Sequence, residues 1–373
     1  MLRRYSSRAF ITISITVLLV EASSRVLVHY KLLEDLFGNN SKTEITKGDW
    51  NWRNEKMPWG AWHKPDTVDK AKDTCYEITY ESNSYGARDK QFNSLTPRNK
   101  RTLLIGDSFA EGFGLNKSDT LDSILENLTD QDIYNLGSAH AVGPVQYFLI
   151  YEHFAKVFDH DNLIITFLPS NDFQDNDPVN MFKSNLKFRY RPYYRKISEN
   201  SFDIQYPQNA IKTDDIYKQN SRIQKTTGYS INVIKQELIK HSTFARVLKS
   251  LKYRQTAPIG YYGGTTNEQV NAALFFLEKT ISLAKEQQVK SIVLFVIPTL
   301  PEIEFFQSNN FKPEWLKDLK MLEQKYNQLK VIDGLDSFSA NNANPKDLFL
   351  ECDGHWSPEG ASLAAGEISK YLR

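Results

Sequence analysis

Short apolar runs alternate with amphipathic stretches over most of the carboxyl-terminal part of the chain. The runs predict strands, in order, at 102–105, 133–136, 163–168, 291–297 and 331–332. Between and after them, apolar residues spaced three or four apart predict helices at 121–128, 145–158, 266–288, 313–327 and 358–372. Strands that alternate with helices are typical of a parallel sheet covered on both faces. Such sheets bind ligands beyond the carboxyl ends of their strands, so we expect functional residues there.

Two segments do not follow this alternation. Residues 38–100 are polar, with turn residues and a short alternating stretch at 76–80, which predicts a small strand-containing lead-in. The stretch 173–264 is too long for an ordinary crossover and predicts an inserted subdomain. It carries a strip of Tyr and Arg at 188–195, which we interpret as a surface hairpin whose aromatic residues pack on the domain. Stacking against a sugar or an anionic substrate is the alternative.

The amino terminus has its own pattern. Three arginines precede an uncharged run at 9–20, and extension to residue 28 reaches the length of a membrane span but includes two charged residues. A signal-anchor helix fits the basic flank and the total length. A cleaved signal peptide fits the short apolar run. A soluble amphipathic helix is disfavoured, because 11–20 is apolar on all sides. We therefore expect residues 1–30 to be an anchor or signal peptide, and the rest of the chain to lie outside the cytoplasm.

Composition narrows the class of protein further. The 373 residues include 46 Lys+Arg and 45 Asp+Glu, so the chain lacks the basic excess of a nucleic-acid-binding protein. With 40% hydrophobic residues it can bury a sizeable core, which excludes wholesale disorder. Its two cysteines cannot build a disulfide framework or a Cys-based zinc site. In an oxidising compartment, Cys75 and Cys352 either form one disulfide or remain unrelated thiols. No metal constellation or nucleotide-binding glycine loop is visible, so we predict no cofactor.

Polar blocks follow the first three predicted strands. The first, Gly-Asp-Ser at 106–108, puts a serine on a tight turn between strand and helix, where a nucleophile is accessible. The second, at 135–137, ends in glycine, and the third, at 169–172, contains an asparagine. Each block alone is also typical of an ordinary turn or helix cap. Together they predict an oxyanion hole whose donors are the N–H groups of Ser108 and Gly137 and the side-chain amide of Asn171.

A general base is expected near the carboxyl terminus. Of the seven histidines, only His355 lies in a compact acid–base unit directly before a predicted helix, Cys-Asp-Gly-His-Trp-Ser-Pro at 352–358. Asp353 can accept a hydrogen bond from one imidazole nitrogen while the other takes the proton of Ser108. His140 is the rival base that we retain, although it has no adjacent carboxylate. The sequence therefore predicts a Ser108–His355–Asp353 triad.

These four blocks, in this order along an α/β pattern, resemble the SGNH (GDSL-type) hydrolase family. The resemblance covers 101–373, interrupted by the insertion, and implies a flavodoxin-like three-layer α/β/α sandwich with a parallel sheet. It also implies Ser108 as nucleophile, His355 as base, and Gly137 and Asn171 as oxyanion-hole donors. Many members carry the aspartate three residues before the histidine, whereas Asp353 lies two before it. That spacing resembles the membrane-anchored branch of polysaccharide O-acetylesterases and O-acetyltransferases.

The lead-in carries part of the same resemblance. Residues 82–89 are similar to an Asn-Ser-x-Gly-x-Arg segment that precedes the catalytic block in membrane-anchored members, and Arg88 would hold a carboxylate, close the site or form a surface ion pair. Four tryptophans at 50–62 are interpreted first as a small satellite core, with a sugar platform or membrane contact as alternatives. Besides Arg88, further substrate contacts are predicted at Asp107, Asp172 and Trp356.

The resemblance and the triad together predict a serine esterase. Its expected reaction is removal of a small acyl group, such as acetyl, from a cell-envelope or secreted glycan. An O-acetyltransferase with the same acyl-enzyme is an alternative that would need an acyl-donor partner protein, and a non-catalytic glycan-binding or assembly factor is a third hypothesis. The expected partners are an acylated carbohydrate and, through the amino-terminal helix, a membrane, but no nucleic acid.

Overall fold

A computed structural model of the chain describes residues 16, 19–23, 53–139, 142–179, 191–206, 260–341 and 344–372. The chain forms two compact units, Met1–Lys42 with Lys212–Ala257 and Thr43–Ile211 with Pro258–Arg373. In the first unit the description is limited to residue 16 and 19–23, which are helical. Most of the expected anchor and most of the insertion therefore lie outside the described residues. Among the residues that are described, no helix has the length and apolar character needed to cross a bilayer.

The described part of the lead-in consists of short antiparallel hairpins. Strand β1 (Arg53–Met57) pairs with β2 (Gly60–His63), and β3 (Val68–Lys72) pairs with β4 (Glu77–Glu81). Buried and exposed residues alternate along β4, because successive side chains of a strand point to opposite faces. The alternating sequence at 76–80 had predicted this strand.

Trp59 and Trp62 join the lead-in to the main core. Each is 1% exposed, and their ring centroids lie 5.7 and 5.8 Å from that of Phe154. Together with Ala87 they belong to the same hydrophobic cluster as the central sheet. A packing role is therefore confirmed for these two tryptophans, although they join the main core and form no satellite. Trp50 and Trp52 lie outside the described residues.

The rest of this unit alternates strands and helices, as predicted. In chain order the elements are β5 (Arg101–Ile105), α1 (Ser108–Glu111), α2 (Leu121–Thr129), β6 (Asp132–Asn135), α3 (Pro144–Phe154), β7 (Asn162–Phe167), α4 (Pro169–Asp175), β8 (Tyr193–Ser198), β9 (Ser201–Gln205), α5 (Asn267–Glu286), β10 (Ser291–Val296), α6 (Leu300–Asn309), α7 (Trp315–Lys325), β11 (Leu329–Asp333), α8 (Gly334–Ala340) and α9 (Pro358–Ser369). Strands β8 and β9 form an antiparallel hairpin, as the Tyr/Arg strip suggested, while residues 188–190 of that strip lie outside the described residues.

The described residues contain a parallel sheet of five strands in the order β6-β5-β7-β10-β11. Numbered along the chain, this is the order 2-1-3-4-5 of flavodoxin-like folds. The predicted α/β class with a central parallel sheet is therefore confirmed, whereas the predicted amino-terminal membrane helix stays a prediction. Every residue of β5, β7 and β10 is buried. Helix α3 packs against α5, and α2 packs against α9. Because crossovers between parallel strands are right-handed and the strand order reverses after β6, these two helix pairs cover opposite faces of the sheet.

The reversal of strand order has a functional consequence. After β5 the chain leaves the sheet toward one face, and after the neighbouring strand β7 it leaves toward the other. This opens a crevice at the carboxyl ends of these two strands. The Gly-Asp-Ser block follows β5, and the block that contains Asn171 follows β7. The fold therefore places both blocks at the position where open α/β sheets bind ligands.

Candidate active site

Ser108 is the first residue of α1, directly after β5. The Asp107 carboxylate caps this helix by accepting the Phe109 N–H at 3.0 Å. Gly106 approaches β7 so closely that a Cβ at this position would lie 1.9 Å from Oγ1 of Thr166. Gly106 thus allows the close approach to β7 and Asp107 caps α1, and together they hold Ser108 at the end of the strand.

His355 reaches Ser108 from the loop before α9. Its Nε2 lies 2.7 Å from Ser108 Oγ, which is hydrogen-bonding distance. Its Nδ1 lies 3.2 Å from Asp353 Oδ2, but the direction of this contact falls outside hydrogen-bond geometry. Asp353 also accepts the backbone N–H of His355 at 2.9 Å, and Gly354 between them adopts a φ of 82°. The structure therefore brings Ser108, His355 and Asp353 together.

Phe109 and Phe113 hold the imidazole of His355 in place. Their ring centroids lie 4.8 and 4.7 Å from the centroid of the imidazole. These two ring contacts restrict the orientation of the imidazole beside Ser108. The sequence analysis missed both residues, because Phe109 lies in α1 and Phe113 lies in the turn after it, and their contact with His355 arises only when the loop before α9 packs on this turn.

A disulfide anchors the loop that carries the base. Cys75, between β3 and β4, is bonded to Cys352, and their Cα atoms are 5.7 Å apart. Of the two alternatives that the sequence left open, the structure contains the paired one. Since Cys352 directly precedes Asp353, the bond ties the loop of the acid and the base to the lead-in.

The expected oxyanion-hole donors differ in their availability. Among the hydrogen bonds of the described residues, none uses the Ser108 N–H. Asn171 lies in the first turn of α4 and is partly exposed. Burial raises the pKa of the nearby Asp107 carboxyl, and the Asn171 amide opposes this rise in part. The N–H of Gly137, in contrast, donates to Asn135 Oδ1 at 2.9 Å. In this structure, Gly137 is not a free donor.

Gly137 has a steric role that the sequence analysis did not identify. A Cβ at this position would lie 2.5 Å from the backbone nitrogen of Glu111 and 2.6 Å from the Cβ of Ala110. Only glycine lets the loop after β6 approach α1 this closely. The glycine therefore supports the placement of Ser108 even while its N–H is bonded elsewhere.

The four residues predicted as further substrate contacts are all buried in this structure, so a direct contact of any of them with substrate stays a prediction. Asp107, Asp172, Arg88 and Trp356 are 2%, 1%, 2% and 1% exposed. The Arg88 guanidinium donates to backbone carbonyl groups in and just after α1, and the Trp356 ring packs on Phe109 at 5.0 Å. Charge and aromatic character near a motif suggested substrate contacts, but these side chains bind and pack within the protein.

The buried residues Asp107 and Asp172 form an acidic cluster behind the nucleophile turn with Asp175, which is 15% exposed and lies 4.0 Å from Arg191. Burial raises the pKa of Asp107 to about 6 and that of Asp175 to about 7. Burial, together with the charges of the other two, raises the pKa of Asp172 well above its usual range. The Tyr147 hydroxyl donates to Asp172 at 2.9 Å, and so does the Leu168 N–H at 2.8 Å. Like charges in a dry site cannot all ionise, so the cluster retains protons that isolated carboxyl groups would lose.

Two other predictions concern the surroundings of the site. The rival base His140 lies outside the described residues. Within the part of the chain that the structure describes, no group of three or more His, Cys, Asp and Glu side chains could hold a metal ion.

Comparisons with known proteins identify similar folds only. The sequence matches no protein-family model and no curated protein. The chain is similar to the structure of a member of the lipolytic protein G-D-S-L family from Veillonella parvula DSM 2008, with 12% identity, a TM-score of 0.38, and coverage of 72% of this chain and 96% of that one. It is also similar to a GDSL-like lipase from Bacteroides thetaiotaomicron VPI-5482, with 9% identity, a TM-score of 0.36, and coverage of 75% and 90%. At such identities and TM-scores, any conclusion about chemistry has to come from the site itself.

Proposed function

We propose that the protein is a serine ester hydrolase with Ser108 as nucleophile, His355 as base and Asp353 as the group that orients the base. The observation that carries this proposal is the 2.7 Å contact between Ser108 Oγ and His355 Nε2. The Asp353 carboxylate, 3.2 Å from Nδ1, supports it, as does the N–H of Ser108, which no hydrogen bond of the described residues uses. A serine between a base and a backbone donor is the arrangement that acyl transfer needs.

The proposed cycle has two half-reactions. Neutral His355 removes the hydroxyl proton as Ser108 Oγ bonds to the carbonyl carbon of the ester. The negative charge on the carbonyl oxygen is stabilised by the Ser108 N–H and the Asn171 amide. The C–O bond to the alcohol then breaks, and the alcohol takes the proton from His355. Water, deprotonated by the same imidazole, then attacks the acyl carbon. The bond between that carbon and Ser108 Oγ breaks, His355 returns the proton to Oγ, and the acid is released, while Asp353 stabilises each imidazolium that forms.

For the substrate we propose a small acyl ester, such as acetyl, on a glycan outside the cytoplasm. The disulfide between Cys75 and Cys352 supports an oxidising compartment, since such bonds are rare in the cytosol. The Asp-Gly-His spacing supports a carbohydrate ester through the resemblance noted above. An anchor at residues 1–30 belongs to the same proposal.

Replacement of the nucleophile tests the proposal directly. We expect Ser108→Ala to lower kcat for an aryl acetate by on the order of 10⁴-fold, because the covalent route is removed while the fold is kept. A fluorophosphonate probe should label the wild-type protein at Ser108 and leave the variant unlabelled. Ser170→Ala is the matched control, because Ser170 lies beside Asn171 and has no part in the proposed cycle.

Two outcomes would change the assignment. A Ser108→Ala protein that hydrolyses the ester at the wild-type rate would refute it. If the acyl-enzyme forms but a glycan hydroxyl outcompetes water for it, the protein is an O-acetyltransferase.

A further inference from the structure

His63 and Glu111 form a fully buried pair between the lead-in and α1. His63 is the last residue of β2, and Glu111 is the last residue of α1, three positions after Ser108. Both side chains have an exposed fraction of 0%. The Nε2 atom of His63 lies 3.2 Å from Oε2 of Glu111, and its Nδ1 lies 3.0 Å from the carbonyl oxygen of Gly86.

The partners of the imidazole determine how many protons the pair holds. A backbone carbonyl can only accept, so Nδ1 of His63 must carry a hydrogen to bond to Gly86. A carboxylate oxygen also only accepts, so a second proton must lie between His63 Nε2 and Glu111 Oε2. The pair therefore exists as imidazolium and carboxylate, or as imidazole and carboxylic acid. In both forms it is neutral as a whole, as its burial requires.

Glu111 also binds the loop that follows β6. Its Oε2 accepts the N–H of Ala139, two residues after Gly137. This is the loop that packs on the backbone of α1 at Ala110 and Glu111. One carboxyl group thus connects the lead-in, the helix that begins with Ser108 and the loop beside the proposed oxyanion hole.

The short length of α1 gives this connection its importance. The helix has only four residues, and a single turn has little stability of its own. The direction of the Ser108 Oγ and of its backbone N–H depends on how this turn is held. A displacement of about 1 Å at a reacting atom can lower a rate by roughly 10²-fold.

We propose that His63 and Glu111 are positioning residues for Ser108, which makes the lead-in a required part of the active site. The proposal rests on the proposed function, since its effect is measured as ester hydrolysis. The proton between the two side chains keeps Glu111 bonded to both His63 and Ala139, and these bonds fix the turn that carries the nucleophile.

Three substitutions test this role: two place an amide at the position of one imidazole nitrogen of His63, and the third removes the carboxyl group of Glu111. The amide of His63→Gln reaches the position of Nε2 and can still donate to Glu111, whereas that of His63→Asn reaches only the position of Nδ1, toward Gly86. Glu111→Gln leaves one oxygen that accepts from Ala139, with no carboxyl group to share a proton with His63. We expect kcat for an aryl acetate to fall by about 10- to 100-fold in His63→Asn and Glu111→Gln, and by only about threefold in His63→Gln, with KM within about twofold throughout.

His160→Gln is the matched control for the loss of a buried histidine. His160 is 2% exposed, its Nδ1 also faces a carbonyl, that of Phe158 at 2.8 Å, and its Nε2 contacts the Tyr151 hydroxyl at 2.9 Å. It lies just before β7, at the amino-terminal ends of the strands, whereas the site lies at their carboxyl ends. This variant should lose thermal stability to a similar extent but keep the wild-type kcat.

The outcomes separate positioning from stability and from the proposed function. If kcat falls in His160→Gln as it does in His63→Asn, the effect is one of stability and the positioning role is overturned. Wild-type kcat in folded His63→Asn and Glu111→Gln would also overturn it. A wild-type protein without esterase activity and without probe labelling at Ser108 would instead refute the proposed function, and the positioning role would fail with it.

Discussion

Asp107 has two tasks at the nucleophile turn. It caps α1, and its charge lies near His355, whose own charge favours ionised Asp107. Burial acts in the opposite direction and is the larger effect, so the pKa of Asp107 rises to about 6. Above that pH the protein keeps a charge next to Ser108 at the expense of stability. This is consistent with a residue retained for the site as well as for the fold.

Asp107→Asn should therefore make the protein more stable at alkaline pH. The pKa of Asp107 is higher in the folded protein than the value of about 3.9 of an unfolded chain, so the folded state binds more protons between these values and stability falls as pH rises through about 6. Asparagine keeps the cap without the charge. We expect the free energy of unfolding in urea to be on the order of 1–2 kcal/mol higher for the variant at pH 8, and equal at pH 4.

Asp161→Asn is the control of opposite sign. Burial acts to raise the pKa of Asp161, but hydrogen bonds from Lys290 and Arg98 outweigh it, so the pKa is lowered. The stability from this charge is present at neutral pH and is lost as pH falls through the acidic range. The variant should be less stable than wild type at pH 8. A destabilised Asp107→Asn protein at pH 8 would contradict the expected sign.

The reacting residues could be predicted because the residues next to each of them in the sequence indicate its role. Ser108 follows a strand on a tight turn, and His355 has Asp353 two residues away. The supporting residues could not be predicted in this way, since His63 and Glu111 come together only when distant segments pack. The sequence also does not show which side chains are buried, and for this reason it predicts substrate contacts at Arg88 and Trp356, which are buried in the structure.

Among the elements, α3 and α6 show where sequence patterns fail and where a signal was overlooked. The apolar spacing predicted a helix to residue 158, but α3 ends at Phe154. The residues after it form a turn in which the N–H groups of Val157 and Phe158 both donate to the carbonyl oxygen of Phe154. Helix α6 was not predicted, although Thr299 and Glu302 form a capping box and a proline lies in its first turn.

The disulfide acts at the scale of the loop that carries His355. Residues Cys75 and Cys352 are separated by 277 positions, so the bond restricts the unfolded chain strongly. We expect a double replacement by serine to lower the free energy of unfolding by about 2–4 kcal/mol. It should also lower kcat by roughly tenfold, because the loop of Asp353 and His355 loses its attachment to the lead-in.

A thiol count accompanies this test. The natively folded wild-type protein, denatured without a reductant, should react with no thiol reagent, and after reduction it should expose two thiols. If two thiols appear without reduction, the bond does not form in solution. A serine variant with wild-type kcat would show that the loop needs no such attachment.

At the scale of the whole molecule, the lead-in is part of the core. Trp59, Trp62 and Ala87 belong to the same hydrophobic cluster as the central sheet. The guanidinium of Arg88 lies 3.9 Å from the ring centroid of Tyr80 and donates to the carbonyl oxygens of Glu111, Gly112 and Leu115. Helix termini leave carbonyl groups without partners in the helix, and Arg88 of the lead-in satisfies that of Glu111, the last residue of α1. The lead-in and the sheet should therefore unfold as one cooperative unit.

Arg88→Met tests this cooperativity, because it keeps the apolar stem and removes the donors. The carbonyl groups of Glu111, Gly112 and Leu115 would then lose the guanidinium as a donor, and we expect a loss of roughly 3 kcal/mol in the free energy of unfolding. Hydrogen exchange should show the amides of β2 and β4 opening before those of β5, whereas in the wild type all three open together. Arg98→Met is the matched control, since the Arg98 guanidinium also donates to carbonyl groups, those of Gln287 and Gln288. Arg98 is partly exposed and lies at the amino-terminal ends of the strands, away from the site at their carboxyl ends. If β2 and β4 already open early in the wild type, the lead-in is a separate unit, and its contacts with α1 do not hold the nucleophile in place.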